Sequence, residues 1–506
     1  MQRARDLPKY LLPAFGILVL SMACGSEVED DRQPEARLGI EEIPITTASP
    51  EALTAFEAGR RALDVGRPRL ANQLFRDAVD KDPEFAAAFL GIADCAASPV
   101  EFKNSLDLAS RHVEGTSEGE RLLVDIYQTF FANDAERRIE LAERLIDSYP
   151  RSPRAWLMLG FVKGDLNHSE AAREAFGKAL ELAPELLAAH YALWRSYLFS
   201  EPKSFERARQ AMERCIEIEP GEAKCHESLG DVHRAVNDLD KARELYTRAT
   251  ELDPKLALAR LKKGHIESFL GNFEAAREAY DAGVEGATGA DPLIYANYRA
   301  FTHLHRDDPR AALDELGGIA DSAGELGLPE DQVSGVLKTT YEHMAMIALH
   351  HQLIDEAERI LEDSAAVKRA EAAKLGDANF TRLQEAGILF WEGQLAARRG
   401  DFAAAQAKAE EHKALLENDD NPRRFESYHG LRGLIELRRG DYGQAIEHFQ
   451  QSNLTSMYVK YHLALAHQGA GDHDQARKLF REVGEWNFNS VGFALVRRDA
   501  LRRAAA

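Results

Sequence analysis

Several common signatures of chemistry are missing from this 506-residue chain. It has four cysteines and no Cys-x-x-Cys pair, so neither a zinc site nor a dithiol redox motif has support. No phosphate-cradling glycine-rich loop and no His-Glu-x-x-His occurs, which removes the familiar nucleotide-binding and zinc-protease patterns. Positive charge is scarce: 63 basic side chains stand against 84 acidic ones, a net charge of −21. Such a surface repels phosphate backbones, so nucleic acid is a poor partner, and the acidity serves solubility. The apolar run Tyr10 to Leu20 is too short to span a bilayer. With 45% hydrophobic and 29% charged residues, the composition is that of a folded chain with ample core.

What the chain does have is a repeat. Gly160, Ala172, Phe176, Ala179 and Pro184 recur as Gly230, Ala242, Tyr246, Ala249 and Pro254, at identical offsets of 12, 16, 19 and 24 residues from the glycine. Gly59, Ala71, Phe75, Ala78 and Pro83 form an earlier copy, and Ala208, Met212, Cys215 and Pro220 a partial one. Pro184 to Pro220 is 36 residues and Pro220 to Pro254 is 34. A period of this length built from two helical halves marks a solenoid. Glycine inside a helix costs about 1 kcal/mol relative to alanine. It recurs if it lets two antiparallel helices approach closely, with the aromatic ring filling the space beside the contact. Proline cannot continue the helix and marks the corner. One hairpin cannot bury both its faces, so several must stack.

These residues resemble the tetratricopeptide repeat family, a helix-turn-helix unit of 34 residues. The match takes in Trp156, Leu159 and Gly160 on a first helix, then Ala172, Phe176, Ala179 and Pro184 on the second. The resemblance implies an all-α fold, a right-handed superhelical solenoid of about twelve helix-turn-helix hairpins. It also implies that ligands, usually extended peptides or helices, lie in a concave groove lined by the first helices.

The N-terminus reads as a targeting segment. Arg3, Arg5 and Lys9 precede the apolar run, the pattern of a signal peptide over residues 1–23. The run leads into Leu20-Ser21-Met22-Ala23-Cys24-Gly25, which resembles a bacterial lipobox, although leucine stands four residues before Cys24 and not three. The resemblance implies cleavage before Cys24, its lipidation, and outer-membrane sorting facing the periplasm in a Gram-negative cell; plain cleavage without lipidation is the alternative. Residues 24–50 are polar and acidic and predict a flexible tether. Of the remaining cysteines, Cys215 ends one helix and Cys225 begins the next, so a bridge is geometrically possible in an oxidising compartment. The competing reading, that Cys215 replaces the recurring small alanine, is preferred.

The solenoid is assigned to residues 51–487, degenerate around 86–118 and 316–376, with a C-terminal capping helix over 488–506. Ser98-Pro99 interrupts the second hairpin, and Leu316 to Pro329 is glycine-rich and breaks the period. Val333–His351 and Ile354–Leu375 predict an enlarged hairpin. The period returns in Arg398-Arg399-Gly400-Asp401-Phe402 and Arg438-Arg439-Gly440-Asp441-Tyr442. There arginines suit the negative end of one helix, glycine its left-handed cap, and aspartate the start of the next.

Histidines supply the weak candidates for chemistry. His303 and His305 fall on different helical faces; His343 and His350 share a face with His351 beside them, while Glu342 points elsewhere; His467 and His473 straddle a turn. All read as ordinary helix histidines, and no metal, cofactor or catalytic residue is assigned. Arg497, Arg498, Arg502 and Arg503 read as the solvated face of the last helix. The groove stripe, placed by spacing, contains Phe56, Arg60, Leu157, Phe161, Tyr191, Arg195, Phe199, Lys224, Arg234 and Phe269. Aromatics interleaved with arginine dominate binding hot spots; the alternative is that Phe161, Tyr191 and Phe199 pack against neighbouring hairpins. Phe161 and Arg195 stand where the family's carboxylate clamp needs asparagine, so that function is not carried over.

The expected function is a non-catalytic protein- or peptide-binding scaffold or adaptor of the bacterial cell envelope. The alternative is an accessory subunit presenting substrate to an envelope hydrolase or cell-wall machinery; an intrinsic hydrolase is the least supported reading.

Overall fold

A computed structural model of the chain describes residues 40–506, and every regular element among them is an α-helix. The first three hairpins are α1 (Pro50–Asp64) with α2 (Pro68–Lys81), α3 (Ala86–Asp94) with α4 (Pro99–His112), and α5 (Glu118–Ala132) with α6 (Ala135–Ser148). Hairpins four to six are α7 (Pro153–Asp165) with α8 (Ser169–Leu182), α9 (Leu187–Phe199) with α10 (Phe205–Ile218), and α11 (Ala223–Ala235) with α12 (Leu239–Leu252). Next come α13 (Ala257–Leu270) with α14 (Phe273–Glu285), α15 (Asp291–His305) with α16 (Pro309–Ser322), and α17 (Glu330–His350) with α18 (Ile354–Leu375). The last three pair α19 (Ala378–Arg399) with α20 (Phe402–Leu416), α21 (Glu426–Arg439) with α22 (Tyr442–Gln451), and α23 (Met457–Gly469) with α24 (His473–Gly484). A single helix, α25 (Val491–Ala505), follows. The architecture is an all-α solenoid of twelve hairpins and one terminal helix.

The recurring offsets have a direct physical cause. A Cβ added at Gly59, Gly160, Gly230, Gly264 or Gly433 would overlap the ring of Phe75, Phe176, Tyr246, Tyr280 or Phe449 respectively. In each hairpin, the glycine is the only residue that leaves room for that ring. The partner alanines Ala71, Ala172, Ala242, Ala276 and Ala445 are all buried at the same contact layer. Turn chemistry repeats as well: Gly400 and Gly440 take the left-handed conformation (φ 84° and 83°), and the Asp401 and Asp441 side chains accept from the third amide of the following helix.

Two expectations are corrected. Residues 40–49, assigned to the flexible tether, form an extended strap against α5: Ile43 is buried beside Gly119, and Thr46 donates its amide and hydroxyl to the Glu120 carboxylate (3.1 and 2.6 Å). Burial of one isoleucine plus two hydrogen bonds to a charged acceptor outweighs the polar composition. Within the glycine-rich stretch, α16 runs through Gly317 and Gly318 to Ser322, supported by buried Ile319. Cys215 and Cys225 form a disulfide between α10 and α11, with Cα atoms 5.8 Å apart, so Cys215 is both the small residue and half of a bridge. Cys24 and the signal peptide lie outside the described residues.

The solenoid winds until it meets itself. Arg67 and Arg69, at the turn of the first hairpin, reach joints between much later hairpins. Arg67 pairs with Glu222 (2.8 Å) and Asp253 (3.0 Å), and Arg69 grips Asp291 through two nitrogens. The second turn follows, with Ser98 Oγ donating to Asp331. At the third, Asn133 donates to the Asn418 carbonyl (2.7 Å) and accepts from the Asp420 amide (3.0 Å). At the other end, the Lys203 ammonium lies over the Trp486 ring (4.2 Å) and Asn487 donates to Asn237 (2.6 Å). These within-hairpin turns therefore dock on joints about five to seven hairpins further on, and successive coils touch.

Two glycines separate the packing term from helix propensity. Gly160→Ala should lose about 1–3 kcal/mol, because the new methyl displaces the Phe176 ring. Gly177→Ala, in the next helix with open space around it, should gain about 0.5–1 kcal/mol. Urea denaturation of the two variants beside the parent protein checks both signs.

Candidate functional site

The stripe predicted to line the groove is carried by α1, α7, α9, α11 and α13. What it faces over α9 to α13 is the chain itself. The joint between α24 and α25 runs along this face as a short non-helical segment, and each residue from Trp486 to Asn489 has its own partner. Phe488 meets Phe199 edge-on (5.4 Å between centroids) and lies under the Arg234 guanidinium (4.2 Å). Asn489 donates to the Tyr280 hydroxyl (3.2 Å) and accepts from His305 Nε2 (3.3 Å). Phe493, the third residue of α25, packs against Phe269 (5.5 Å), and the Arg497 guanidinium covers that ring (5.2 Å).

Beneath this contact lies a buried ionic cluster. Lys224 donates to Glu227 (2.5 Å), Lys262 bridges Glu227 and Asp231, Arg234 pairs with Asp231 (2.8 Å), and the Tyr246 hydroxyl also donates to Asp231 (2.8 Å). Burial pushes the Lys224 ammonium below its ordinary range, against the pull of Glu227. Burial would raise the Asp231 carboxyl, but Lys262 and Arg234 outweigh it and hold it below its usual range. Removing one partner of such a set strands a buried charge, at a cost of about 3–5 kcal/mol.

The expected groove residues therefore divide. Lys224, Arg234 and Phe269 are buried in internal pairings, Phe199 carries the C-terminal segment, and Leu157 and Phe56 belong to hairpin cores, with Phe56 against Phe75 and Phe85 (5.5 and 5.1 Å). An open hollow along the whole stripe is thus corrected: over hairpins five to seven the chain occupies it. Arg60, Phe161, Tyr191 and Arg195 remain half-buried. Burial and the neighbouring Arg154 lower the Arg60 guanidinium, and burial lowers that of Arg195 against the opposing effect of Asp165. Tyr191 places its hydroxyl 3.6 Å from Cys225 Sγ. Sequence reasoning missed Trp486, Phe488, Asn489 and Arg497. Their available signal was an aromatic-rich run, Trp486-Asn487-Phe488-Asn489, where the other joints between hairpins carry at most one aromatic. Arg497 was expected in solvent and instead stacks inside; Arg498 and Arg502 are exposed.

The other candidates are internal too. His303 contacts Glu315 (2.9 Å), His343 contacts Asn297 (2.9 Å), His350 contacts Tyr458 (3.1 Å) and His467 contacts Asp472 (3.1 Å). Among the described residues no group of three or more side chains could hold a metal ion. Gly115-Thr116-Ser117-Glu118-Gly119 has the letters of a nucleophile elbow. Ser117, however, caps α5 reciprocally with Glu120, and no strand precedes it among the described residues.

Two measurements follow. Phe488→Ala should cost about 1–3 kcal/mol and raise amide exchange across residues 485–493 while α3 to α6 keep theirs, as read by hydrogen-exchange mass spectrometry. Burial also holds His305, His343, His412 and His462 at about 4 and His350 at about 3. These folded values lie below the unfolded one, so the unfolded chain binds more protons between pH 6.5 and about 4. Stability is fully present above that window and is lost as pH falls through it, by up to about 1.4 kcal/mol per pH unit for each histidine. Thermal melts from pH 7.5 to 4.5 should show that fall.

Models of the tetratricopeptide repeat match residues 56–119, 153–186, 223–256 and 458–485. Among solved structures the chain resembles YrrB, described as a tetratricopeptide-repeat protein with an unusual peptide-binding site, at 20% identity and a TM-score of 0.27, covering 36% of this chain and 92% of that one. It also resembles MamA at 20% identity and 0.29, over 33% of this chain and 91% of that one. A thermophilic tetratricopeptide-repeat protein of Thermus thermophilus matches at 16% and 0.28, over 42% and 98%. No curated protein matches the sequence.

Proposed function

Because the chain carries tetratricopeptide repeats, we propose that it is a non-catalytic scaffold that binds a protein or peptide and serves the bacterial cell envelope. One observation carries the reading. The inner face already holds a non-helical stretch of polypeptide, its own Trp486–Asn489, by an edge-on ring contact, a cation over a ring and side-chain amide hydrogen bonds. That is the chemistry a peptide-binding solenoid uses, and the adjoining part of the stripe, Arg60, Phe161, Tyr191 and Arg195, retains exposure for a further guest. The envelope assignment draws support from the signal-peptide pattern, from the lipobox-like run ending at Cys24, and from the Cys215–Cys225 disulfide, a bond that persists in oxidising compartments.

The test uses the full chain in its own membranes. Crosslinked pull-down should recover partners with the parent protein and lose them with Phe161→Ala/Tyr191→Ala/Arg195→Ala, each hot-spot truncation costing about 2 kcal/mol or more, while circular dichroism stays unchanged. An unaltered set of partners refutes inner-face docking. The mass of the mature N-terminal peptide reads the anchor: a diacylated Cys24 is expected, and an unmodified residue there rejects it.

A further inference from the structure

In the first coil, turn cations meet joint acids: Arg67 with Glu222 and Asp253, Arg69 with Asp291. The turns of hairpins ten and eleven present cations of their own. Arg398 and Arg438 stand one residue before the ends of α19 and α21. Among the described residues neither has a carboxylate partner, whereas the adjacent Arg399 and Arg439 pair with Glu358 and Glu436. With the Gln352 amide oriented to face them, Arg398 Nη1 and Arg438 Nη1 both donate to its one oxygen, at 3.2 Å each. Two guanidiniums thus converge on a single neutral acceptor. Arg398 Nη2 donates to the Tyr458 hydroxyl (3.1 Å), His350 Nδ1 contacts the same oxygen (3.1 Å), and Arg398 Nε is buried with no hydrogen-bond partner.

The neighbouring histidines register this positive field without adding charge, since their lowered values leave them neutral near pH 7. Burial lowers His462, and Arg398 and Arg438 lower it further; burial lowers His350, followed by His462, His351 and Arg398. In a chain of net charge −21 this is a local reversal of sign. The donors come from the ends of α17, α19 and α21 and from α23, so they approach from different directions. That suits the tetrahedral oxygens of a phosphate over the single plane of a carboxylate, and guanidinium is the favoured group for such oxygens. Arg438 and Gln352 are exposed, which gives an entering ion access.

We propose that Arg398 and Arg438 form a binding site for a phosphate-class oxyanion, which takes the place of the Gln352 amide between them. The anion is a free phosphate or the phosphate of a lipid headgroup, and two arms separate the sources. Titration calorimetry of the full chain with inorganic phosphate, at constant ionic strength, should show saturable binding. Affinity should fall at least tenfold in Arg398→Gln and in Arg438→Gln and stay unchanged in Arg439→Gln, whose cation is already paired. Cosedimentation with phosphatidylglycerol vesicles, against phosphatidylcholine vesicles, reads the headgroup source; binding there that Arg438→Gln abolishes supports the site in its lipid form. Arg438 is exposed, so its variant keeps the fold and carries the test if Arg398→Gln does not. Binding of neither probe, binding unaffected by Arg438→Gln, or equal weakening by Arg439→Gln overturns the proposal.

Discussion

A ring seated on a glycine is the contact from which this molecule is assembled. Where Gly160 faces Phe176, or Gly230 faces Tyr246, the two helices of a hairpin are set at a distance that no larger residue permits. Because the same contact recurs along the chain, each hairpin presents nearly the same surface to the next, and the small rotation between neighbours accumulates with one sign. Close packing therefore fixes more than the core. It fixes the curvature, and through curvature it decides which distant residues come together.

The second consequence is electrostatic. Accumulated rotation carries the first hairpin's arginines to the acids that open later helices, and it carries the final joint onto the inner face of hairpins five to seven. A chain dominated by carboxylates is thus stapled at the places where its scarce cations fall. The interior follows the same logic: Lys224, Lys262 and Arg234 sit with Glu227 and Asp231 because the inner face of α11 and α13 is covered by the C-terminal segment and must neutralise itself.

Much of this was legible in the residues. The glycine, alanine and aromatic offsets carry the helix pairs, and the aspartate and glycine of each turn carry their ends, since both are local relations that repeat. The stripe predicted to line a groove divided: Phe56 and Leu157 joined hairpin cores, while Phe199, Arg234 and Phe269 met the final joint, an occupant with no repeating signal. Phe488 reaches Phe199, and Arg67 reaches Glu222 and Asp253, across sequence separations with no period, and only the summed rotation of many hairpins brings them into register. Ile43 and Cys215 show the same limit on a smaller scale: a polar tail is pinned by one apolar side chain, and a residue read as merely small is also covalently bound.

The touching coils bear on how the molecule answers force. A solenoid whose coils stand apart lengthens easily, each hairpin yielding by a small hinge motion. Here Arg67, Arg69 and Asn133 rivet one coil to the next, so a pull along the axis loads those rivets before any hairpin can hinge. Until they shear, the protein under tension behaves as a stiff strut, and extensibility begins only after they fail.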